Sequence, residues 1–224
     1  MGASGARKLA SERAAVAAAA RRLADAGLVE RTAGNVSARA GELVAVTPTG
    51  AQLGSLEPED VTVVDLSGAV VDGRFEPTSE TALHLAVYES TQAGAVAHTH
   101  APMATAVGCV VDELPLVHYE MLALGGPVRV APYATFGTQQ LADSVAAALE
   151  GRAAALMQNH GAVTIGPDAG TAVELTLLLE WAATLFWRAR QIGEPRSLGE
   201  QDVKDFFDTV ARRGYGVTKE VDEQ

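Results

Sequence analysis

The sequence predicts a single α/β domain: a central, mostly antiparallel β-sheet flanked by layers of helices. Its length of 224 residues fits one large domain. Hydrophobic residues make up 48% and charged residues 20%, which is typical of a folded chain. Short apolar runs alternate with helix-forming segments, and the turn Ser67-Gly68 joins two of these runs as a hairpin. We expect the domain to span residues 9–216, between unpatterned tails at 1–8 and 217–224.

The elements of the first half follow from helix formers, turn residues and apolar runs. Residues 9–26 are rich in Ala, Leu, Arg and Glu, and Gly27 is a natural stop. A later helix is predicted to open at residues 77–80, with Thr78 or Ser79 as its N-cap and Glu80 in its first turn. In order, we expect a helix over 9–26, strands over 43–47, 61–66 and 69–71, a helix from 77–80 to about 90, a strand over 95–98 and a helix from 102 to about 107.

The second half repeats this pattern of strands and capped helices. Thr138 and Asp168 are predicted N-caps, and Ser197 with Glu200 forms a predicted capping box. In order, we expect a strand over 127–131, a helix over 138–149, strands over 153–157 and 162–165, a helix from 168 to 190 and a last helix from 197 to 213.

Charge and composition exclude several classes of function. The formal net charge of −11 argues against nucleic acid and against an anionic membrane surface as partners. No run reaches the ~18 consecutive apolar residues of a membrane span. The Ala-rich stretch 14–20 is followed at once by Arg21 and Arg22, unlike a signal peptide. Cys109 is the sole cysteine and cannot form an intrachain disulfide, so we expect a cytoplasmic protein.

Three histidines are candidate metal ligands. His98 and His100 form an H-x-H pair at the end of a short apolar strand, where alternate side chains point to the same face. His160 follows another apolar run and precedes Gly161. Three neutral nitrogens leave a fourth position open, which is the catalytic pattern for Zn²⁺. The alternative is one core, one surface and one turn histidine.

Glu80 and three small polar segments are candidates for substrate chemistry. Glu80 is either a catalytic carboxylate or only a partner of the helix dipole. The turns 34–37 and 47–50 are each ordinary turn sequences, but together with Thr78 and Ser79 they could form a phosphate pocket from N–H groups. His84, four residues after Glu80, is interpreted as an ordinary helical pair partner outside the site, and His118 has no assigned role.

Eight ordered motifs resemble those of a known family. They are GNVS at 34–37, TPTG at 47–50, PTSE at 77–80, HTHAP at 98–102, HYEMLALGG at 118–126, APYATFGT at 131–138, QNHG at 158–161 and RGYG at 213–216. Together they resemble the class II aldolase/adducin head family, most closely its aldolases that act on ketose 1-phosphates. The resemblance covers the chain from about Gly34 to Gly216.

The resemblance implies a homotetramer with active sites at subunit interfaces and one divalent metal per subunit, usually zinc, with Mn²⁺ or Co²⁺ as alternatives. The implied metal ligands are His98, His100 and His160, with Glu80 as a resting ligand that becomes the acid/base. Tyr119 of a neighbouring subunit would move the proton of the leaving oxygen, and Tyr215 would shape the aldehyde pocket. The residues matching the family's phosphate site are Gly34, Asn35, Thr49, Gly50, Thr78 and Ser79.

The implied reaction is reversible cleavage of a phosphorylated sugar, a ketose 1-phosphate, into dihydroxyacetone phosphate and an aldehyde. L-Fuculose 1-phosphate is the default substrate, and a 5-deoxy- or methylthio-pentulose 1-phosphate is an alternative. Lys8, Lys204 and Lys219 lie outside the motifs, which argues against a Schiff-base aldolase. Three other readings stay open: a sugar-phosphate epimerase, a dehydratase, and a non-catalytic adducin-like assembly module. Epimerases of the family usually carry aspartate where this chain has Glu80, and adducin-like modules lack the metal histidines.

Overall fold

A nine-stranded sheet between two layers of helices forms the framework of the computed structural model, which describes residues 8–213. The strands are β1 (Asn35–Ala40), β2 (Leu43–Val46), β3 (Thr62–Asp65), β4 (Val70–Asp72), β5 (Ala95–Thr99), β6 (Glu113–Leu114), β7 (Val128–Ala131), β8 (Ala154–Met157) and β9 (Gly161–Gly166). The helices are α1 (Ala10–Asp25), α2 (Thr81–Ser90), α3 (Pro102–Gly108), α4 (Gln139–Ala148), α5 (Ala169–Ile192) and α6 (Glu200–Arg213). Short 3-10 helices cover Leu53–Ser55 and Tyr119–Leu124.

The sheet runs in the order β4-β3-β2-β1-β5-β9-β8-β7-β6. All its pairs are antiparallel except β7 with β8, which are parallel. Helices α1, α3 and α5 contribute to the apolar core on one face, and α2 and α4 to the core on the other. The predicted fold class, a mostly antiparallel sheet in a three-layer α/β domain, is confirmed.

Two predicted helix caps are confirmed. The side chain of Thr138 accepts a hydrogen bond from the backbone N–H of Leu141 at the start of α4. The side chain of Asp168 accepts one from the N–H of Thr171 at 2.7 Å, at the start of α5. Both caps act locally, which is why the sequence pattern alone identifies them.

Strand β1 corrects the interpretation of residues 34–37 as a turn. From Asn35 the chain is extended and pairs with β2 on one side and β5 on the other. Val36 and Ala38 alternate with Asn35 and Ser37, so an apolar set faces one side of the sheet and a polar set faces the other. The pairing places Asn35 directly opposite His98.

Helix α2 begins later than predicted. The segment 77–79 pairs with the end of the β2 region instead: Pro77 bridges Pro48, and the N–H of Thr78 donates to the carbonyl oxygen of Thr47 at 3.0 Å. The helix therefore starts at Thr81, and Glu80 occupies the N-cap position without a side-chain cap. Neither Thr78 nor Ser79 is the cap, and Glu80 is not in the first turn.

The predicted capping box at Ser197 is wrong. Just before α6, the N–H of Leu198 donates to the carbonyl oxygen of Leu116, which ties this segment to another part of the chain. Asp202 accepts a hydrogen bond from the N–H of Gly199 at 2.8 Å. Helix α6 accordingly begins at Glu200, three residues after Ser197.

Helix α5 is the one described helix that is long and apolar enough to cross a membrane, with a mean hydropathy of 1.3. It packs against β5, β9, α1 and α3. Leu179, Ala182 and Ala183 on its inner face are fully buried. The apolar inner face of α5 therefore forms part of the core of the domain.

Candidate metal and active site

Three histidine side chains converge at one end of neighbouring strands β5 and β9. His98 lies in β5, His100 directly follows that strand, and His160 directly precedes β9. One ring nitrogen from each lies within 4.8 Å of the others. The three ring centroids are 4.9–5.0 Å apart. The three histidines singled out in the sequence thus form one cluster.

The turn that carries His160 is tightly constrained by the sheet. Asn159 adopts a left-handed backbone with φ of 54°, which non-glycine residues adopt infrequently and Asn tolerates better than most. A Cβ at Gly161 would lie 2.3 Å from the carbonyl oxygen of Thr99 and 3.2 Å from the rings of His98 and His100. Glycine at 161 therefore allows the two strands to approach closely enough for the three rings to meet.

Helix α3 is anchored immediately after His100. Both carboxylate oxygens of Glu180, on α5, accept hydrogen bonds from the first turn of this helix, from Met103 N–H at 2.9 Å and Ala104 N–H at 2.8 Å. These N–H groups have no partner within a helix, so the carboxylate satisfies them. The contact fixes the chain that follows His100 to the longest helix of the domain.

A hydrogen bond to the backbone fixes the orientation of the His98 ring. It is fully buried, and its Nδ1–H donates to the carbonyl oxygen of Ala162 at 3.0 Å. The Nε2 atom of the same ring lies 3.1 Å from His100 Nε2 and 3.2 Å from Glu80 Oε2. Donation of the second ring N–H to a backbone carbonyl is the usual support of a metal-ligating histidine.

Glu80 completes the cluster. Its Oε1 is buried without a hydrogen-bond partner and lies 3.5 Å from His160 Nε2. Ring nitrogens and a carboxylate gathered in one largely buried place suit a bound cation that would balance the carboxylate charge. Three imidazole nitrogens with one carboxylate fit a divalent transition metal such as Zn²⁺.

The electrostatics keep the cluster in the protonation state that a metal requires. Burial by itself would raise the pKa of Glu80, but the positive charge of the His98 and His160 rings when they are protonated, together with the amide of Asn35, outweighs it and holds that pKa well below its usual range. Burial, reinforced by the neighbouring rings, lowers the pKa of His100 to about 4 and also lowers that of His160. Glu80 is therefore an anion, and His100 and His160 release their protons readily, so that a cation can take the place of a proton in the cluster.

A cleft of about 530 Å³ opens beside the cluster. All six residues predicted to hold phosphate line it, and they are joined there by Glu80, His100 and His160. Within residues 8–213 no lysine or arginine lines the cleft, so an anion would be held there by N–H and hydroxyl groups. The predicted phosphate residues in this lining are Gly34, Asn35, Thr49, Gly50, Thr78 and Ser79.

One predicted site residue, Tyr119, does not line this cleft in its own chain. Tyr119, on the 3-10 helix, is 38% exposed and stacks on His118 with ring centroids 4.5 Å apart. Among the described residues that line the cleft, Tyr119 is absent. Tyr215 lies outside the described residues.

Two aromatic residues of the cleft had no role in the sequence analysis. Tyr133 and Phe136 line the cleft and are 58% and 63% exposed. Both belong to the motif APYATFGT at 131–138, which carried the family resemblance without a residue-level role. They give the otherwise polar cleft an aromatic surface.

The interpretation of His84 as an ordinary helical pair partner of Glu80 is wrong. His84 is fully buried, and its ring bonds to Asn35 and to Ser37 rather than to the carboxylate of Glu80. A sequence signal does exist: Glu80, His84 and Tyr88 recur every four residues and share one helix face. The sequence could not identify the partners of these side chains, because Asn35 and Ser37 lie on β1, the segment that was interpreted as a turn.

Comparison with known proteins gives consistent matches. The family described as "Class II Aldolase and Adducin N-terminal domain" matches residues 14–187. The chain is 38% identical over 188 residues to the 5-methylthioribulose-1-phosphate/5-deoxyribulose-1-phosphate aldolase of Rhodospirillum rubrum, covering 83% of this chain and 85% of that protein. It is 35% identical over 212 residues to the 5-deoxy-D-ribulose 1-phosphate aldolase of Bacillus thuringiensis serovar kurstaki, covering 93% and 98%. A solved L-fuculose 1-phosphate aldolase superposes with a TM-score of 0.87 at 31% identity, covering 92% of this chain and all of that one.

Proposed function

Because the chain belongs to the class II aldolase and adducin N-terminal domain family, we propose that it is a metal-dependent aldolase. It would cleave a ketose 1-phosphate reversibly into dihydroxyacetone phosphate and an aldehyde. The observation that carries this proposal is the cluster of three histidines and Glu80 beside a cleft of small polar residues. The catalytic domain would comprise residues 9–216, in a cytoplasmic enzyme.

The metal would be held by His98, His100 and His160, with Glu80 as a ligand at rest. Zinc suits this nitrogen-rich set best, and Mn²⁺ or Co²⁺ could replace it. When bound, the metal supplies Lewis-acid stabilisation of the negative charge that develops on the sugar oxygens. The buried carboxylate oxygen of Glu80 without a hydrogen-bond partner supports this assignment.

The phosphate group would occupy the polar side of the cleft. Asn35, Thr49 and Thr78 offer side-chain donors there, and Gly34 and Gly50 leave the backbone accessible. A Cβ at Gly34 would lie 3.0 Å from the carbonyl oxygen of His98, so the close approach of this loop to β5 requires glycine. Anchoring the phosphate would fix the distance between the reacting carbons and Glu80.

Proton transfer would use Glu80 and Tyr119. In the condensation direction the ionised carboxylate of Glu80 removes a proton from the carbon that will form the new bond, and in cleavage it returns that proton. Tyr119 of a neighbouring subunit exchanges a proton with the oxygen at C4. The lowered pKa of Glu80 keeps the carboxylate ionised, which is the form that can accept a proton.

The substrate is proposed to be a deoxy-ketose 1-phosphate. The relatives and the solved structure carry, in their names, 5-deoxyribulose, methylthioribulose and fuculose phosphates. 5-Deoxyribulose and fuculose end in a methyl group, and methylthioribulose ends in a methylthio group. The aromatic surface of Tyr133 and Phe136 in the cleft suits such an apolar end.

A substrate panel tests the proposed function. We expect metal-loaded protein to release dihydroxyacetone phosphate from L-fuculose 1-phosphate, 5-deoxyribulose 1-phosphate or 5-methylthioribulose 1-phosphate. A coupled assay that oxidises NADH measures the dihydroxyacetone phosphate released. Ribulose 5-phosphate serves as the epimerase control. Epimerisation of the control, or loss of water from a 1-phosphate without release of dihydroxyacetone phosphate, would contradict aldolase function.

A homotetramer with shared active sites leads to a complementation prediction. Tyr119 is exposed and lies outside the cleft of its own chain, so a Tyr119→Phe chain and a Glu80→Gln chain should each supply what the other lacks. We expect mixing the two inactive variants to restore part of the activity, because some sites then combine intact Tyr119 with intact Glu80. Native mass spectrometry checks that subunits have exchanged. Exchange without recovery of activity would show that both residues act from one chain.

A further inference from the structure

A chain of buried polar side chains leads away from Glu80 beneath the cleft. Asn35 Nδ2 donates to Glu80 Oε2 at 2.9 Å, and Asn35 Oδ1 contacts Nε2 of His84. His84 Nδ1 lies 2.7 Å from Ser37 Oγ, which lies 2.7 Å from the hydroxyl of Tyr88. Asn35, Ser37, His84 and Tyr88 are each at most 4% exposed. These four residues are called the relay below.

The chemistry of the donors fixes a single direction for the relay. Asn35 presents Nδ2 to Glu80 Oε2, so the amide donates and the carboxylate oxygen accepts. Asn35 Oδ1 then accepts, which requires a proton on Nε2 of His84. With that proton on Nε2, the buried ring uses Nδ1 to accept from the hydroxyl of Ser37, 2.7 Å away. The hydroxyl of Tyr88 donates in turn to Ser37.

The relay removes the alternative orientation of the Asn35 amide. A flipped amide would place Oδ1 against the carboxylate of Glu80, a repulsive contact in a buried place, and would require His84 and Ser37 to reverse their hydrogen bonds as well. His84 therefore acts on Glu80 through Asn35, without touching the carboxylate. Asn35 also lines the cleft, so one amide connects the proposed phosphate site with the proposed acid/base.

Stability alone is a poor explanation for this arrangement. Four buried polar side chains between a helix and a strand contribute little net free energy compared with well-packed apolar residues of the same size. A fully satisfied network does confer one defined geometry. A defined geometry matters most where this hydrogen-bonded network meets the carboxylate of Glu80.

We propose that the relay is a positioning device: Ser37 and Tyr88 orient His84, and His84 locks the amide of Asn35 so that it holds the Glu80 carboxylate in place for proton transfer. None of the three is a catalytic residue. The proposal rests on the proposed function for its consequence in catalysis, but the hydrogen-bond direction is a property of the protein without substrate.

The first test reads that direction without any activity assay. In protein labelled with ¹⁵N at histidine, nitrogen–proton correlation spectra separate the two neutral tautomers of a ring. We expect His84 to carry its proton on Nε2 and none on Nδ1, with His84→Gln identifying its signals. A proton on Nδ1 would reverse the relay and overturn the proposal, whatever reaction the protein catalyses.

The second test separates positioning from folding. We expect His84→Phe to lower kcat about 10- to 100-fold, the usual scale for a group that orients an active-site residue. His84→Gln, which restores an N–H donor toward Asn35, should recover most of the kcat. Thr176→Val is the matched control. It removes a buried hydroxyl that lies 2.7 Å from the hydroxyl of Thr164, and neither residue belongs to the relay. It should lose stability and keep its kcat.

The outcomes distinguish failure of this inference from failure of the proposed function. Equal kcat in His84→Phe, Thr176→Val and the parent would reject positioning, provided that the parent is an active aldolase. Equal losses in the Phe and Gln variants, in step with their melting temperatures, would also reject it in favour of a purely structural role. A parent without aldolase activity but with the expected His84 tautomer would overturn the proposed function and leave the relay's direction supported.

Discussion

Replacing His98 with alanine is expected to remove the bound metal and the aldolase activity together. The parent protein should carry close to one divalent metal per chain, most readily zinc. His98 is fully buried at the centre of the cluster, with its Nε2 lone pair 3.1 Å from His100 and 3.2 Å from Glu80. Lewis-acid stabilisation is worth several kcal/mol, so activity should fall by about 10³-fold or more. Elemental analysis and the coupled assay measure the two losses.

Two further variants make this result interpretable. His160 lies in a turn, and its side chain is partly exposed. The His160→Ala variant should therefore lose metal and activity with less effect on folding than the His98→Ala variant, whose histidine is fully buried. His118→Ala, which changes a histidine outside the cluster, should keep its metal. A metal-free preparation with full activity would contradict the metal assignment.

Replacing Glu80 with glutamine is the second large effect that we expect. The change keeps the size of the side chain and an oxygen that can accept from Asn35 Nδ2, so the fold should persist. It removes the anionic base, whose usual contribution is about 10²-fold or more. Turnover in both directions and circular dichroism measure the two effects.

The metal content of the glutamine variant must be measured alongside, because Glu80 is also a proposed resting ligand. Glu76→Gln is the matched control, since Glu76 is an exposed carboxylate four residues earlier and lies outside the cleft lining. Activity of Glu80→Gln within a few-fold of the parent would reduce Glu80 to a helix-start residue without a catalytic role.

The sequence by itself determined the features that depend on local patterns. The caps Thr138 and Asp168 act within one helical turn, so side chain and spacing identified them. His98 and His100 follow strand periodicity, and the ordered motifs identified the family and with it the fold. The six phosphate candidates came from small polar turn sequences together with the family resemblance, and the structure lines one cleft with all of them.

The tertiary structure decided whatever depends on partners distant in sequence. Strand β1 exists because β2 and β5 pair with both its edges, and this pairing sets Asn35 opposite His98. Helix α2 begins at Thr81 because the preceding residues are held by backbone bonds to the Thr47 region. His84 changed from a helical pair to a buried link for the same reason: its partners, Asn35 and Ser37, lie 49 and 47 residues away. Spacing along one helix cannot reveal such partners, because only the folded sheet brings them within hydrogen-bond distance.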